Sequence, residues 1–126
     1  MAVTNWNTAE ALQAGFPHMF NSLEHLVMAM ADFANNRGKR SLFGNDKGLA
    51  AYKRFEAKFQ DTLLAMVVDG LIERNASPSQ AREMLVRAIE QFATAFPNWQ
   101  DAYAFAHEFL VVKSAVADDR IRSALQ

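Results

Sequence analysis

Apolar residues recur every three or four positions along almost the whole chain, and no useful length of it shows the apolar-polar alternation of a half-buried strand. Residues three and four apart share one face of an α-helix. The most regular run lies between residues 16 and 34 and consists of Phe16, Met19, Phe20, Leu23, Leu26, Val27, Met30, Phe33 and Ala34. This spacing predicts an all-α fold and a long helix that buries one face.

Capping residues and a proline predict where the first two helices begin. Asn7 and Glu10 have the spacing of a capping box, and Gly15 suits the left-handed end of a short helix over about residues 8–14. Pro17 suits the first turn of a second helix, because the N–H that proline lacks has no helical partner there. The second helix is expected to end near residue 33.

A third helix is expected from near Asp46 to about Arg74. Its segment 63–72, LLAMVVDGLI, is apolar nearly all round, which is typical of a central helix or an oligomer interface. Gly70 is expected to bend this helix or to let a neighbour approach closely. The residues predicted to point inward are Leu49, Tyr52, Phe55, Phe59, Leu63, Met66 and Val67.

The clearest boundary precedes a fourth helix, which is expected to run to about residue 95. Ser77 is predicted as its N-cap, Pro78 occupies the first helical position, and Gln80 would close the capping box. Asn98 is predicted as the N-cap of a fifth helix, with Asp101 in its first turn. Residues 118–125 are expected to add one or two helical turns.

These elements predict one helical domain over residues 1–126, built as an antiparallel bundle of four main helices with a short N-terminal helix. A length of 126 residues is typical of one domain, and a hydrophobic content of 51% argues against intrinsic disorder. The connection at about 35–48 is the exception, because it is longer than most helix-helix connections in bundles and is strongly basic.

Positive charge is concentrated around this loop. Residues 37–58 hold seven basic and two acidic residues, a net charge of +5, although the whole chain has a net charge of -1. The remainder, with six basic and twelve acidic residues, is therefore acidic. We interpret the basic residues as one surface that contacts an acidic partner. The predicted partner-binding residues are Arg37, Lys39, Arg40, Phe43, Lys47, Arg54 and Lys58.

Leu42 and Phe43 interrupt the polar loop as an apolar pair. The pair is expected either to anchor the loop against the end of the bundle or to project as an apolar contact ringed by basic residues; the anchor is the favoured alternative.

Three glycines in the loop raise the possibility of a phosphate-binding site, because backbone N–H groups can converge there beside the start of the third helix. The Walker pattern is missing, since Asn45 and Asp46 follow Gly44 where lysine and serine or threonine are required. Nucleic-acid binding through the same basic surface is a less favoured alternative, because no helix-turn-helix signature with a basic recognition helix is present. The leading hypothesis is a non-enzymatic interaction module, a regulator or adaptor.

Candidate catalytic and metal-binding residues do not form a convincing set. His18, His25 and Asp32 recur every seven residues, about 10.5 Å apart along a helix, which is too far for one metal ion, so they are interpreted as an exposed stripe. The chain has no Glu-x-x-His motif and no Gly-x-Ser-x-Gly elbow. We therefore predict no enzymatic activity, no cofactor and no metal.

An alternative function is the binding of a small apolar or anionic ligand between the helices, near Trp99, Tyr103 and His107. His107 is placed near the core-facing side of the fifth helix, where it is expected to be a buried hydrogen-bonded residue or to line a cavity.

The absence of cysteine fits a reducing compartment, and the N-terminal residues show neither a basic region nor an apolar run. No window approaches the roughly 20 apolar residues that span a bilayer. A cytoplasmic protein without a membrane partner is expected, and a homodimer is a further possibility.

Overall fold

A computed structural model of the chain describes residues 9–39, 44, 46–108 and 118–126. Within these ranges it contains six α-helices and one 3₁₀ turn, which confirms the predicted all-α class. The elements are α1 (Ala9–Gly15), α2 (Pro17–Asn36), α3 (Lys47–Val68), α4 (Pro78–Ala95), the 3₁₀ turn (Pro97–Trp99), α5 (Gln100–His107) and α6 (Asp118–Leu125).

The two longest helices, α2 and α3, pack against each other, and the shorter helices lie around them. Helix α2 also contacts α1 and α5, whereas α6 packs against α3 and α4, and α4 contacts α5. One continuous core joins all six helices, and its largest fully buried side chains are Leu12, Met19, Leu23, Leu26, Met30, Phe55, Phe59, Leu63, Met66, Leu85 and Ile89. Two ion pairs connect α6 to its neighbours, Arg120 with Glu56 of α3 and Arg82 of α4 with Asp118.

The predicted start of the fourth helix is confirmed. The Ser77 hydroxyl accepts a hydrogen bond from the Gln80 backbone N–H, and the Gln80 side chain accepts one from the Ser77 N–H. Pro78 follows at the first helical position. The first backbone N–H groups of a helix have no partner within the helix, and a capping box bonds two N–H groups to side chains three residues apart. Because both partners are close in the sequence, this boundary could be predicted from it.

The predicted end of the third helix is wrong, because α3 stops at Val68 and does not reach Arg74. Gly70 has a φ of 78°, in the left-handed region. Its N–H donates to the carbonyl of Val67, and the N–H of Leu71 donates to that of Met66. These two bonds form a Schellman motif, so Gly70 terminates the helix where a bend was expected.

Helix α3 buries a narrower stripe than the sequence pattern predicted. Phe55, Phe59, Leu63 and Met66 are buried as expected, but Leu49 is 51% exposed. Leu49 lies six residues before Phe55, which places it roughly 120° away around the helix at about 100° per residue. In α2 the predicted face is also slightly too wide, since Ala34 at its end is exposed.

The start of the fifth helix differs from the prediction. Residues Pro97–Trp99 form the 3₁₀ turn, and α5 begins at Gln100 without a side-chain cap. Asn98 lies inside the turn and is therefore not the N-cap. The Gln100 side-chain amide donates to the carbonyl of Ala93, which fixes the turn to the last part of α4.

Candidate functional site

The two ends of the basic connection are held together by backbone contacts. The Lys39 N–H donates to the Asn36 carbonyl at 3.1 Å, and the Lys47 N–H donates to the Lys39 carbonyl at 3.0 Å. Gly48 is buried against this junction, because a Cβ atom there would lie 3.0 Å from the Asn36 carbonyl oxygen. The end of α2 and the start of α3 therefore meet closely, and glycine at 48 permits their approach.

This closure brings three of the predicted partner-binding cations to one end of the helix pair. Arg37, Lys39 and Lys47 are all exposed. The guanidinium carbon of Arg37 lies 5.4 Å from the centre of the Phe105 ring, a cation-π distance. Among the residues that the structure describes, neither Lys39 nor Lys47 has an acidic side chain within ion-pair distance.

Two other predicted cations have acidic neighbours. Arg54 donates two hydrogen bonds to one carboxylate oxygen of Asp32, at 2.7 and 3.0 Å. The Lys58 ammonium lies 4.0 Å from a carboxylate oxygen of Asp61 on the same helix. Each carboxylate offsets positive charge on this side of α3. At the junction of α2 and α3, the three exposed cations outnumber the one exposed carboxylate, Asp46, so positive charge predominates there. The predicted partner-binding residues Arg40 and Phe43 lie outside the described residues, and so does Leu42.

The start of α3 does not form an open cradle for phosphate. The Lys47 N–H is bonded to the Lys39 carbonyl, and the Asp46 carboxylate accepts from the Leu49 N–H at 3.0 Å. Two donors that could bind an anion are therefore already used within the chain. A carboxylate at the helix N-terminus also repels a phosphate, which agrees with the missing Walker pattern.

The predicted exposure of the His18, His25 and Asp32 stripe is confirmed for the two histidines, and Asp32 is half-buried. His18 Nδ1 lies 2.8 Å from a carboxylate oxygen of Asp69, at the end of α3, and Asp32 binds Arg54. His18 and Asp32 therefore each connect α2 to α3. Among the described residues, no group of three or more histidine or acidic side chains is placed to hold a metal ion.

Asp69 is an important residue that the sequence pattern did not reveal. Its side chain is 4% exposed, and its second carboxylate oxygen accepts a hydrogen bond from the backbone N–H of Met19 at 2.7 Å. Phe16, the residue before α2, provides no side-chain cap. A carboxylate from the end of α3 thus caps the start of α2, where the helix dipole favours negative charge.

The predicted ligand-binding residues lie in different environments. Trp99 is 37% exposed and lines a cavity of about 220 Å³ with Glu24, Val27, Met28, Phe92 and Phe96. Tyr103 is buried and packs against Phe92, one of the lining residues, with ring centres 5.8 Å apart. His107 is exposed and faces Glu90 at 3.4 Å, so its predicted position near the core is wrong. The ring faces Glu90 of α4 and does not line the cavity.

The hydroxyl of Tyr103 is buried and has no hydrogen-bond partner among the described residues. Burial raises the pKa of this phenol well above its usual value, and the negative charge of Glu24 raises it further.

No helix in the described part of the chain has both the length and the apolar character to cross a membrane. No family model, curated protein or solved structure matches the chain.

Proposed function

We propose that this chain is a non-enzymatic helical interaction module, a regulator or adaptor that binds an acidic protein surface. The contact surface is centred on Arg37, Lys39 and Lys47 and extends along α3 toward Arg54 and Lys58. Arg40 and Phe43 belong to the same proposed surface on sequence grounds. We also keep three sequence-based predictions as part of this proposal: an antiparallel bundle of four main helices, a long basic loop at about 35–48, and a cytoplasmic location.

The observation that carries this proposal is the closed junction between α2 and α3. The Lys47 N–H to Lys39 carbonyl bond holds two exposed lysines together, and neither has an acidic partner among the described residues. Charges that are exposed and not already neutralised keep their attraction for a partner. Complementary charge on the partner would speed association and favour acidic over basic surfaces.

A binding titration with matched charge-reversal variants tests the proposal. The probe is a short fluorescent peptide rich in glutamate, and its binding is measured by anisotropy at low ionic strength. Lys39→Glu with Lys47→Glu should weaken binding by at least about fivefold, because two surface attractions become repulsions. The matched control is Arg87→Glu with Arg122→Glu, which changes the net charge equally at exposed positions elsewhere.

The two double variants separate a local surface from net charge. Full binding by the control and weak binding by the lysine variant would support the proposal. Equal weakening in both would contradict it, because net charge alone would explain the result. A DNA duplex that binds the wild type more tightly than the peptide, with a steep salt dependence, would favour the nucleic-acid alternative and overturn the acidic-protein partner.

A second candidate function is the binding of a small ligand, and the cavity beside Trp99 favours it. Its volume of about 220 Å³ is below the roughly 300–1,000 Å³ of pockets for drug-sized molecules, so it fits one small group. A neutral branched alcohol such as dimethylbutanol is a suitable probe. Saturable shifts of the Trp99 indole N–H and the Phe96 amide in NMR spectra would support a ligand pocket, and their absence for charged and uncharged probes alike would exclude it.

Self-association is a further proposal, and exposed apolar side chains on α3 support it. Leu64 is 41% exposed and Val68 is 63% exposed, one turn apart on one face. Light scattering should give twice the 14.1 kDa chain mass for the wild type, and Leu64→Gln with Val68→Gln should restore the single-chain mass. A wild type that stays monomeric at high concentration would contradict the homodimer.

A further inference from the structure

The lining of the cavity beside Trp99 includes one carboxylate and three aromatic rings, one of which is Trp99 itself. Phe92 and Phe96 lie one turn apart at the end of α4, with ring centres 4.6 Å apart. Trp99 follows in the 3₁₀ turn, and Glu24 reaches the cavity from α2. Aromatic faces carry partial negative charge, so rings and a carboxylate in one small cavity form the typical surroundings of an organic cation.

The end of α4 adds negative potential to the cavity, and the start of α5 at Gln100 adds positive potential beside Trp99, so the net charge of the lining comes from Glu24. Helix α4 ends at Ala95, and its last turn contains no basic residue. The C-terminal end of a helix carries a partial negative charge that attracts cations. Glu24 has no ion-pair partner among the described residues, and no lysine or arginine lines the cavity.

The cavity walls are held by packing within the core. Phe20 contacts both Phe92 and Phe96, with ring centres 5.6 and 6.0 Å away. The backbone N–H of Trp99 donates to the carbonyl of Phe96 at 3.2 Å. The hydrogen bond from the Gln100 side chain to the Ala93 carbonyl of α4 fixes the same turn. Preformed walls lower the ordering cost of binding, which favours recognition of a small group.

A second cavity is also lined by Trp99, and its lining likewise includes a carboxylate and no basic residue. It measures about 250 Å³ and is lined by Trp99, Asp101, Ala102 and residues at the end of α2. Trp99 thus lines two cavities that each hold one carboxylate. An anion would meet repulsion in both, which argues against the anionic choice among the apolar or anionic ligands that the sequence left open.

We propose that the cavity formed by Glu24, Met28, Phe92, Phe96 and Trp99 binds a small organic ammonium cation. This inference rests on the second candidate function, ligand binding beside Trp99. The alkylated ammonium group would lie against Trp99, Phe96 and Met28, and the Glu24 carboxylate would balance its charge. Quaternary ammonium groups suit such a cavity because they are weakly hydrated and donate no hydrogen bonds.

Choline and dimethylbutanol make the sharpest pair of probes, because dimethylbutanol has the same shape with carbon in place of the charged nitrogen. NMR titration of the full chain should give saturable shifts of the Trp99 indole N–H with choline. Dimethylbutanol should bind about tenfold more weakly, because it lacks the cation-π attraction and the charge pairing.

Two variants test the assigned roles. Glu24→Gln should weaken choline binding about tenfold and leave dimethylbutanol binding unchanged. Trp99→Leu removes the indole signal, so its binding is followed at the Phe96 amide, and it should weaken both ligands. Glu83→Gln, at an exposed position of α4 outside the cavity, is the matched control and should bind like the wild type. Both cavity variants change exposed residues, so we expect them to fold. A well-dispersed NMR spectrum of each variant checks this expectation.

The possible failures are distinguishable. Equal affinity for choline and dimethylbutanol, or a Glu24→Gln variant that binds choline like the wild type, would overturn the cation assignment and leave a simple apolar ligand pocket. No saturable shift with either probe would overturn both the cation assignment and the second candidate function.

Discussion

Asp69→Ala should lower the free energy of unfolding by about 2–3 kcal/mol. The substitution removes the acceptor of the Met19 N–H and the partner of His18 in one step. The Asp69 side chain is 4% exposed, so water would not easily replace it. A buried N–H left without an acceptor costs more than the loss of an exposed bond. Urea unfolding followed by circular dichroism measures the change.

Two variants make this prediction specific. Asp69→Asn keeps one oxygen that can accept from Met19 and should recover about half of the loss, because the amide has no negative charge and replaces the oxygen that faces His18 with an NH2 group. Asp61→Ala removes a carboxylate that is 60% exposed and 4.0 Å from Lys58, and it should cost less than about 0.5 kcal/mol. Equal effects of Asp69→Ala and Asp61→Ala would show that Asp69 does not cap α2.

Phe55→Ala should have the largest effect on stability, a loss of about 3–5 kcal/mol. Phe55 is fully buried and forms ring contacts with Phe33 of α2 and with Phe59 on its own helix. Alanine would leave a cavity between α2 and α3, the pair at the centre of the fold. The melting temperature should fall by roughly 10–20 °C.

Leu64→Ala is the matched control for Phe55→Ala, because it shortens an apolar side chain on the same helix that is 41% exposed. Its cost should stay below about 1 kcal/mol. Differential scanning calorimetry of Phe55→Ala, Leu64→Ala and the wild type measures these changes. It should be done at low protein concentration, so that self-association does not contribute to the melting temperature. Similar losses in the two variants would contradict the packing described for α3.

Local signals predicted the parts of the fold that depend on neighbouring residues. The box at Ser77 and Gln80 satisfies its own backbone groups, so its sequence pattern is sufficient. Gly70 shows the limit of such reasoning. Its position inside an apolar run suggested a continuing helix, but the Schellman bonds made in the left-handed conformation ended α3 there.

Contacts between distant residues were not predictable from spacing. Asp69 stands at the C-terminal end of its own helix, where a negative charge is unfavourable, and that mismatch was the available signal that it acts elsewhere. Its partner Met19 is 50 residues away. In the same way, Asp32 offsets Arg54, so a count of charges along the sequence overstated the basic surface on α3.

The candidate cavity was predicted in part. Aromatic residues at the start of the fifth helix indicated a place for a ligand, and Trp99 does line a cavity. Helical periodicity placed His107 toward the core, but Ala102 and Tyr103 form the buried side of α5, and His107 is exposed beside Glu90. Glu24 was missed because its contribution depends on how α2 lies against the end of α4.

A charge-swap titration tests the central claim, binding of an acidic surface at Lys39 and Lys47, most directly. The Lys39→Glu, Lys47→Glu variant is titrated with a lysine-rich peptide, beside the Arg87→Glu, Arg122→Glu control of equal net charge. The account predicts that the swapped surface binds the lysine-rich peptide at least about fivefold more tightly than the control does, a gain that misfolding cannot produce. Equal affinity of the two variants for this peptide would contradict the account.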